Sequence, residues 1–278
     1  FFQKIFTGDI WKPNEHSPMA EPGIGVKEGD QLIAIGGITV DEYNTPEKLL
    51  VNQAGQYVSL SVTKCSDKKK LTKKDKTPFQ VYVKTLFGEQ EVRYREWITK
   101  NVKTVKSLTK GKVGYLHLPD MSSRGISEFH RGFLAQVDHD GLIIDARYNS
   151  GGMVSPLILE KLAHKHLGYD VPRWGSPESY PYHTLKGRLI LIANQFTGSD
   201  GDMFTTSFRQ LKLGPIVGKR TWGGVIGIDS RYKLVDGTTT TQPQYSIWFH
   251  HAGWSVENHG VEPDIFVEDS PQSFLRQE

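Results

Sequence analysis

Hydrophobic spacing along the second half of the chain alternates between two periods. Arg188-Leu189-Ile190-Leu191-Ile192 is an apolar run too short for a helix and bounded by glycine, which predicts a buried strand. Directly after it, Met203, Phe204, Ser207, Phe208 and Leu211 recur at helical spacing until Gly214-Pro215 stops the run. The same strand-then-helix order occurs twice upstream. Val113 to Leu118 reads as a strand, followed by a helix capped by Ser127 and carrying Phe129, Phe133, Leu134 and Val137. Leu142 to Ala146 reads as a second strand, followed by a helix with Ser155 as cap, Pro156 at its first position, and Leu157, Ile158 and Leu162 on its apolar face. Such alternation predicts a parallel sheet with right-handed crossovers and a ligand site beyond the carboxyl ends of the strands. Glu89 to Thr109 is charged, with apolar residues near helical spacing, and reads as a connector helix.

The first half has a different rhythm. Ile5-Phe6-Thr7 reads as a strand, and two apolar strand segments between Pro22 and Val40 are pinned by turns at Glu28-Gly29-Asp30 and Gly36-Gly37. Thr45 is placed to cap a helix over Pro46 to Asn52. Tyr57 to Thr63 alternates cleanly, with Val81-Tyr82-Val83 as its partner strand. The lysines between them, from Lys68 to Lys76, read as a solvated hairpin loop. Further on, Asp236-Gly237 is placed as a hairpin turn between Tyr232-Leu234 and Thr238-Thr241.

Composition narrows the class. At 278 residues two domains are expected, since a single core rarely grows beyond ~250 residues. A net charge of +3, from 34 basic and 31 acidic residues, argues against a nucleic-acid partner. No apolar run approaches the ~18 residues needed to cross a bilayer, so no membrane association is expected. The single cysteine, Cys65, excludes an internal disulfide framework and fits a reducing, cytoplasmic compartment. The chain starts at Phe1 with neither an initiator Met nor a signal peptide, which suggests a piece of a longer protein.

The candidate chemistry gathers at two glycine-bearing turns, each at the carboxyl end of an expected strand. One is Arg147-Tyr148-Asn149-Ser150-Gly151-Gly152; the other is Thr197-Gly198-Ser199-Asp200-Gly201. Taken alone, Ser199 with Asp202 three residues on reads as a helix N-cap with an acidic partner. The alternative is a nucleophile at a strand-to-helix junction, where free backbone N–H groups and the positive helix end gather. Gly151-Gly152 similarly reads either as a tight turn or as a loop whose N–H groups approach a bound oxyanion. Two such turns on one sheet edge favour a site. Glu257, among aromatics and glycines, is a further candidate carboxylate.

These motifs carry two resemblances. Gly25-x-Lys27-Glu28-Gly29-Asp30-x-Leu32 with Gly36-Gly37 resembles a PDZ domain, which implies peptide capture by strand addition, or else packing against the neighbouring domain alone. Four motifs occur in order through the rest of the chain: Ile144 to Gly152, Gly198-Ser199-Asp200-Gly201-Asp202, Gly218 to Gly224, and Gly260-Val261-Glu262-Pro263-Asp264. Together with the PDZ motif they resemble the tricorn protease family, serine peptidases related to carboxyl-terminal processing peptidases. The resemblance implies an α/β chain. A PDZ-like β-rich domain (1–88) precedes a crotonase/Clp-like α/β catalytic core with a parallel sheet (89–278, including a connector helix about 89–110).

Residue by residue, it implies Ser199 as nucleophile and the backbone N–H groups of Gly152 and Asp200 as the oxyanion hole. In this family the base is a His preceded by a Ser, and a glutamate holds that Ser; Glu257 matches the glutamate. Asp170 matches, by interval, an acidic residue that selects basic P1 side chains. No cofactor and no metal are implied. The implied partners are peptide substrates, upstream β-propeller and His-bearing segments of the same protein, and further copies in a hexamer. Two departures qualify the match. Processing peptidases carry a lysine base where this chain has Gly224, which leaves Lys219, ahead of that loop, as the base on that reading. None of the ten histidines matches the tricorn base, and His259 is the nearest in sequence to the presumed site. The expected function is therefore a tricorn-type serine peptidase lacking its upstream His. The alternatives are a non-enzymatic peptide- or ligand-binding module of the same fold and a carboxyl-terminal processing peptidase.

Overall fold

The structure, a computed structural model, describes residues 1–12, 15–65, 77–268 and 270–276. The chain divides into two compact units, Phe1–Lys100 and Asn101–Glu278. The first holds an antiparallel four-stranded sheet among the described residues. β1 (Gln31–Ile35) and β2 (Ile38–Thr39) form a hairpin across Gly36-Gly37, and β3 (Tyr57–Thr63) lies between β1 and β4 (Phe79–Lys84). Val58, Leu60 and Val62 alternate into the core with Val81 and Val83 opposite, as the period-two pattern requires. Thr45 caps α1 (Pro46–Leu49) by accepting from the Lys48 N–H, with proline at the first position. Asp30, fully buried, accepts the N–H groups of Lys27 and Cys65 and so ties the Gly29 turn to the end of β3.

Ile5–Thr7 is not a ladder strand. Its bonds go to isolated partners, Ile5 N–H to the Glu28 carboxylate and Thr7 C=O to Ser17 N–H, so no regular register forms. The lysine run falls at 66–76, outside the described residues.

α2 (Gln90–Leu108) contains the division between the units, and β5 (Val113–His117) opens the sheet of the second. α3 (Ser123–Phe133), β6 (Gly141–Asp145), α4 (Ser155–Ala163) and a ribbon of β7 (Gly168–Asp170) with β8 (Glu178–Tyr180) follow. Next come β9 (Arg188–Ala193), α5 (Asp200–Gln210) and β10 (Ile216–Gly218). β11 (Gly227–Asp229) pairs with β12 (Gln242–Tyr245); β13 (Ile265–Phe266) and α6 (Pro271–Arg276) end the described chain. The main sheet runs β13-β10-β9-β6-β5, every pair parallel. Its core is built from Leu116, Leu142, Ile144, Leu189 and Leu191 on the strands, with Phe129, Phe133, Ile158, Phe204 and Phe208 on the helices.

Two helix starts differ from the sequence expectation. α3 is capped by Ser122, five residues before Ser127, because the Asp120 carboxylate collects the N–H groups of Ser122 and Gly125 and sets the first turn there. Ser155 is not the cap of α4 but its first residue, and its N–H is taken by the Asp200 carboxylate from α5. The Asp236-Gly237 turn is present, but its arms meet in a single bridge, Lys233 with Thr239; the paired strands are β11 and β12. No helix of the described residues is long and apolar enough to cross a membrane.

Candidate active site

Because the sheet order follows the sequence order, no reversal of strands opens a crevice. The site arises instead where two neighbouring strands, β6 and β9, end side by side and each runs into a glycine turn.

The turn after β6 is anchored from beneath. Asp145, the last residue of β6 and fully buried, accepts the Tyr115 hydroxyl at 2.7 Å and the Arg147 guanidinium at 2.6 Å. His117 lies beside this pair with its Nε2 2.9 Å from the Arg147 carbonyl, and burial lowers its pKa. Asn149, also fully buried, donates to the Leu118 carbonyl and accepts the Gly151 N–H at 2.9 Å. Gly151 has φ +86, and a Cβ there would stand 2.5 Å from the Cβ of Ser199. A Cβ on Gly152 would fall 1.9 Å from the Met121 carbonyl oxygen. Both glycines are thus required by close approach, and the first of them packs directly on Ser199.

The turn after β9 is held by Asn194 and Thr197. Thr197 donates its hydroxyl to Ala146 O at 2.7 Å, and Gly198 N–H reaches Asn149 O at 2.9 Å, which joins the two turns. The Asn194 side-chain oxygen accepts from both Tyr148 N–H and Phe196 N–H, at 3.1 Å each. The rings of Tyr148 and Phe196 stack above, centroids 5.5 Å apart.

Ser199 occupies the N-cap position of α5 but makes no side-chain cap bond, and its backbone sits at φ +56, ψ −123. That region is costly for a residue with a Cβ and persists where the surroundings enforce it. The same strand-to-helix elbow presents nucleophiles in hydrolases of other folds. The backbone N–H groups of Gly152 and Asp200 donate to no acceptor among the described residues. Both lie in turns that meet at the half-buried Ser199, on which Gly151 packs.

Glu257 lies on a segment that packs on the loop after β10. Its Oε2 accepts the N–H groups of Val225 and Ile226 at 2.7 and 3.1 Å, while Oε1 takes no hydrogen bond among the described residues. The loop in turn is fastened to the Ser199 turn and the start of α5, through Trp222 N–H on Thr197 O and Gly223 N–H on the Asp202 carboxylate, both at 2.9 Å. Burial pushes the Asp202 carboxyl above the usual aspartate range, opposed by hydrogen bonds from Thr221 and nearby backbone. Ser199, Gly152, Asp200 and Glu257 are therefore joined through one connected set of turns. Asp170 takes part in none of these contacts. It is exposed on β7, where it accepts the Tyr182 hydroxyl and raises that phenol's pKa.

Two histidines of the C-terminal segment are engaged elsewhere. His259 is exposed, with Nε2 3.6 Å from Glu262, and His251 pairs with Gln210. Among the described residues no hydrogen bond joins a histidine to Ser199. A side chain at position 224 meets an obstacle, since a Cβ there would fall 2.3 Å from the Trp222 ring. A lysine base cannot stand at that position without displacing the indole.

A model of peptidase family S41 matches residues 112–267, more than half of the chain. The chain belongs to peptidase family S41. Residues 2–75 match the tricorn protease PDZ domain, so this S41 chain joins a PDZ domain to a peptidase-family domain. It is 43% identical over 270 residues to the tricorn protease of Thermoplasma volcanium, covering 97% of this chain and 25% of the relative. It is 42% identical over 269 residues to tricorn protease homolog 1 of Streptomyces coelicolor, covering 97% of this chain and 24% of that protein. Superposition on the crystal structure of the tricorn protease gives a TM-score of 0.90 at 38% identity, over 99% of this chain and 26% of that one. The chain thus spans about a quarter of the length of the curated relatives it matches.

Sequence reading missed the fastening residues Asn149, Asn194 and Thr197. Their one signal is polar residues with short side chains directly after buried strands, a pattern that closes turns on their own backbone.

Proposed function

We propose that the chain is the PDZ and catalytic part of a tricorn-type serine peptidase, with Ser199 as its acyl nucleophile. One observation carries this reading: a serine held at φ +56 without a cap bond, in turns that also hold two backbone N–H groups, of Gly152 and Asp200, without an acceptor among the described residues. Ser199 Oγ would bond to the scissile carbonyl carbon and pass its proton to a base. The carbonyl oxygen, now negative, would lie against the two N–H groups. The amine leaves with the proton, and water then releases the acyl group by the reverse sequence.

The base is assigned to a His on an upstream segment of the same protein, oriented through a serine that Glu257 holds by its open Oε1. By the tricorn resemblance, upstream β-propeller domains admit peptides, the protein assembles as a hexamer and it works in the cytoplasm. Asp170 is assigned to selection of basic P1 side chains. β2 and β4 are the edge strands of the first sheet among the described residues, which supports peptide capture by strand addition, and a cleft of about 840 Å³ borders β4.

The missing-base reading is tested by comparing residues 1–278 with the full-length protein on short fluorogenic peptides. The chain by itself is expected to cleave at least about 100-fold more slowly, the usual contribution of a positioned base. Equal rates would contradict an upstream base.

A further inference from the structure

Trp222 is exposed by 64% although it stands at the centre of the site's hydrogen-bonded turns. Its backbone is fixed by the bond from its N–H to Thr197 O, two residues before Ser199. Its ring is fixed by two glycines. A Cβ on Gly198 would meet the indole Cε3 at 2.8 Å, and one on Gly224 would meet Cζ3 at 2.3 Å. Neither glycine has a backbone conformation that calls for glycine, since the left-handed positions of this loop are at Gly223 and Gly218. At both 198 and 224, the three atoms nearest to such a Cβ all belong to the Trp222 side chain. The chain therefore keeps two side-chain-free positions to seat one aromatic ring against the residue that precedes the nucleophile. The seated ring keeps most of its surface open.

Singly exposed apolar residues are common on protein surfaces, and what distinguishes this one is its seat against the residue that precedes Ser199, where a bound substrate would run. Indole offers a broad apolar face and little conformational entropy to lose. We propose that Trp222 is a specificity-determining contact, the apolar wall for a substrate side chain that flanks the scissile bond, with aliphatic and aromatic side chains as its ligands. This rests on Ser199 being the nucleophile, and it adds to that reading a preference that the catalytic groups themselves do not impose.

The test uses the full-length protein, a fluorophosphonate probe and a peptide set with a basic residue fixed before the cleaved bond and Leu or Phe against Ser directly after it. In the unsubstituted protein kcat/KM should favour the apolar set. Trp222→Ala should reduce that apolar-to-Ser ratio by about tenfold, the usual scale for losing one apolar contact in a pocket. Trp222→Phe, which keeps a ring between the two glycines, should restore most of the ratio. A Trp222→Ala protein that loses rate on both sets in equal proportion, leaving the ratio unchanged, overturns the assignment and makes Trp222 a structural residue. Probe labelling separates the two levels. Labelling of Ser199 with an unchanged ratio refutes the Trp222 contact alone, whereas an unlabelled Ser199 in the unsubstituted protein refutes the nucleophile and the contact together.

Discussion

Ser199→Ala in the full-length protein is expected to lower kcat/KM for peptide cleavage by at least about 10³-fold, as loss of a covalent nucleophile does elsewhere. Its effect on stability separates the two roles a serine can have at this junction. A true N-cap replaced by alanine loses about 1 kcal/mol, and replaced by glycine only a few tenths. Here there is no cap bond to lose, and the backbone is strained at φ +56. Ser199→Gly should therefore raise stability by about 1 kcal/mol, because glycine adopts that conformation freely. In a domain of this size that is roughly 2–4 °C in Tm. A glycine variant less stable than the parent would restore the capping reading. Gain of stability with loss of activity is the pattern expected where a site stores strain.

The second large effect is expected at Gly152. A Cβ there lies 1.9 Å from the Met121 carbonyl oxygen, which is backbone and cannot swing aside. Gly152→Ala must displace the turn that carries the first of the two proposed oxyanion donors. Loss of such a donor costs about 10²–10³ in kcat. The same clash should destabilise the fold by about 1–3 kcal/mol, within the usual range for local strain. Gly25→Ala supplies the comparison: it also has positive φ, but nothing lies within 4 Å of its Cβ. It should cost about 1 kcal/mol of stability through backbone strain and leave kcat unchanged. If Gly152→Ala cleaves peptides at the parent rate, the 151–152 turn is a turn and nothing more.

Much of this arrangement was legible in the sequence, and the parts that were not have physical reasons. β5, β6 and β9 are continuous apolar runs because a parallel strand is covered on both faces, and such runs stand out. Helix faces were less exact: on α4, Leu157 is exposed while Leu159 is buried, since the choice between adjacent leucines depends on what the helix packs against. β13 has two residues and lies at a sheet edge, too short for any period to show. In the site, both glycine turns could be read from composition and position. That they face each other depends on β6 and β9 being neighbours, a fact of sheet order that spacing does not encode. The seat of Trp222 was invisible for the same reason, because it joins residue 222 to a glycine twenty-four positions earlier in the chain. Ser199 was ambiguous as a motif because caps and nucleophiles share residue types; its positive φ and missing cap bond speak against the cap.

The central claim is that Ser199 is an acyl nucleophile whose base lies outside residues 1–278. It is tested most directly by treating the full-length protein with a fluorophosphonate and mapping the adduct by peptide mass spectrometry. The account predicts a single phosphonylated residue, Ser199, formed much faster in the full-length protein than in residues 1–278. An adduct on another serine, or none on Ser199 in an active preparation, would contradict it.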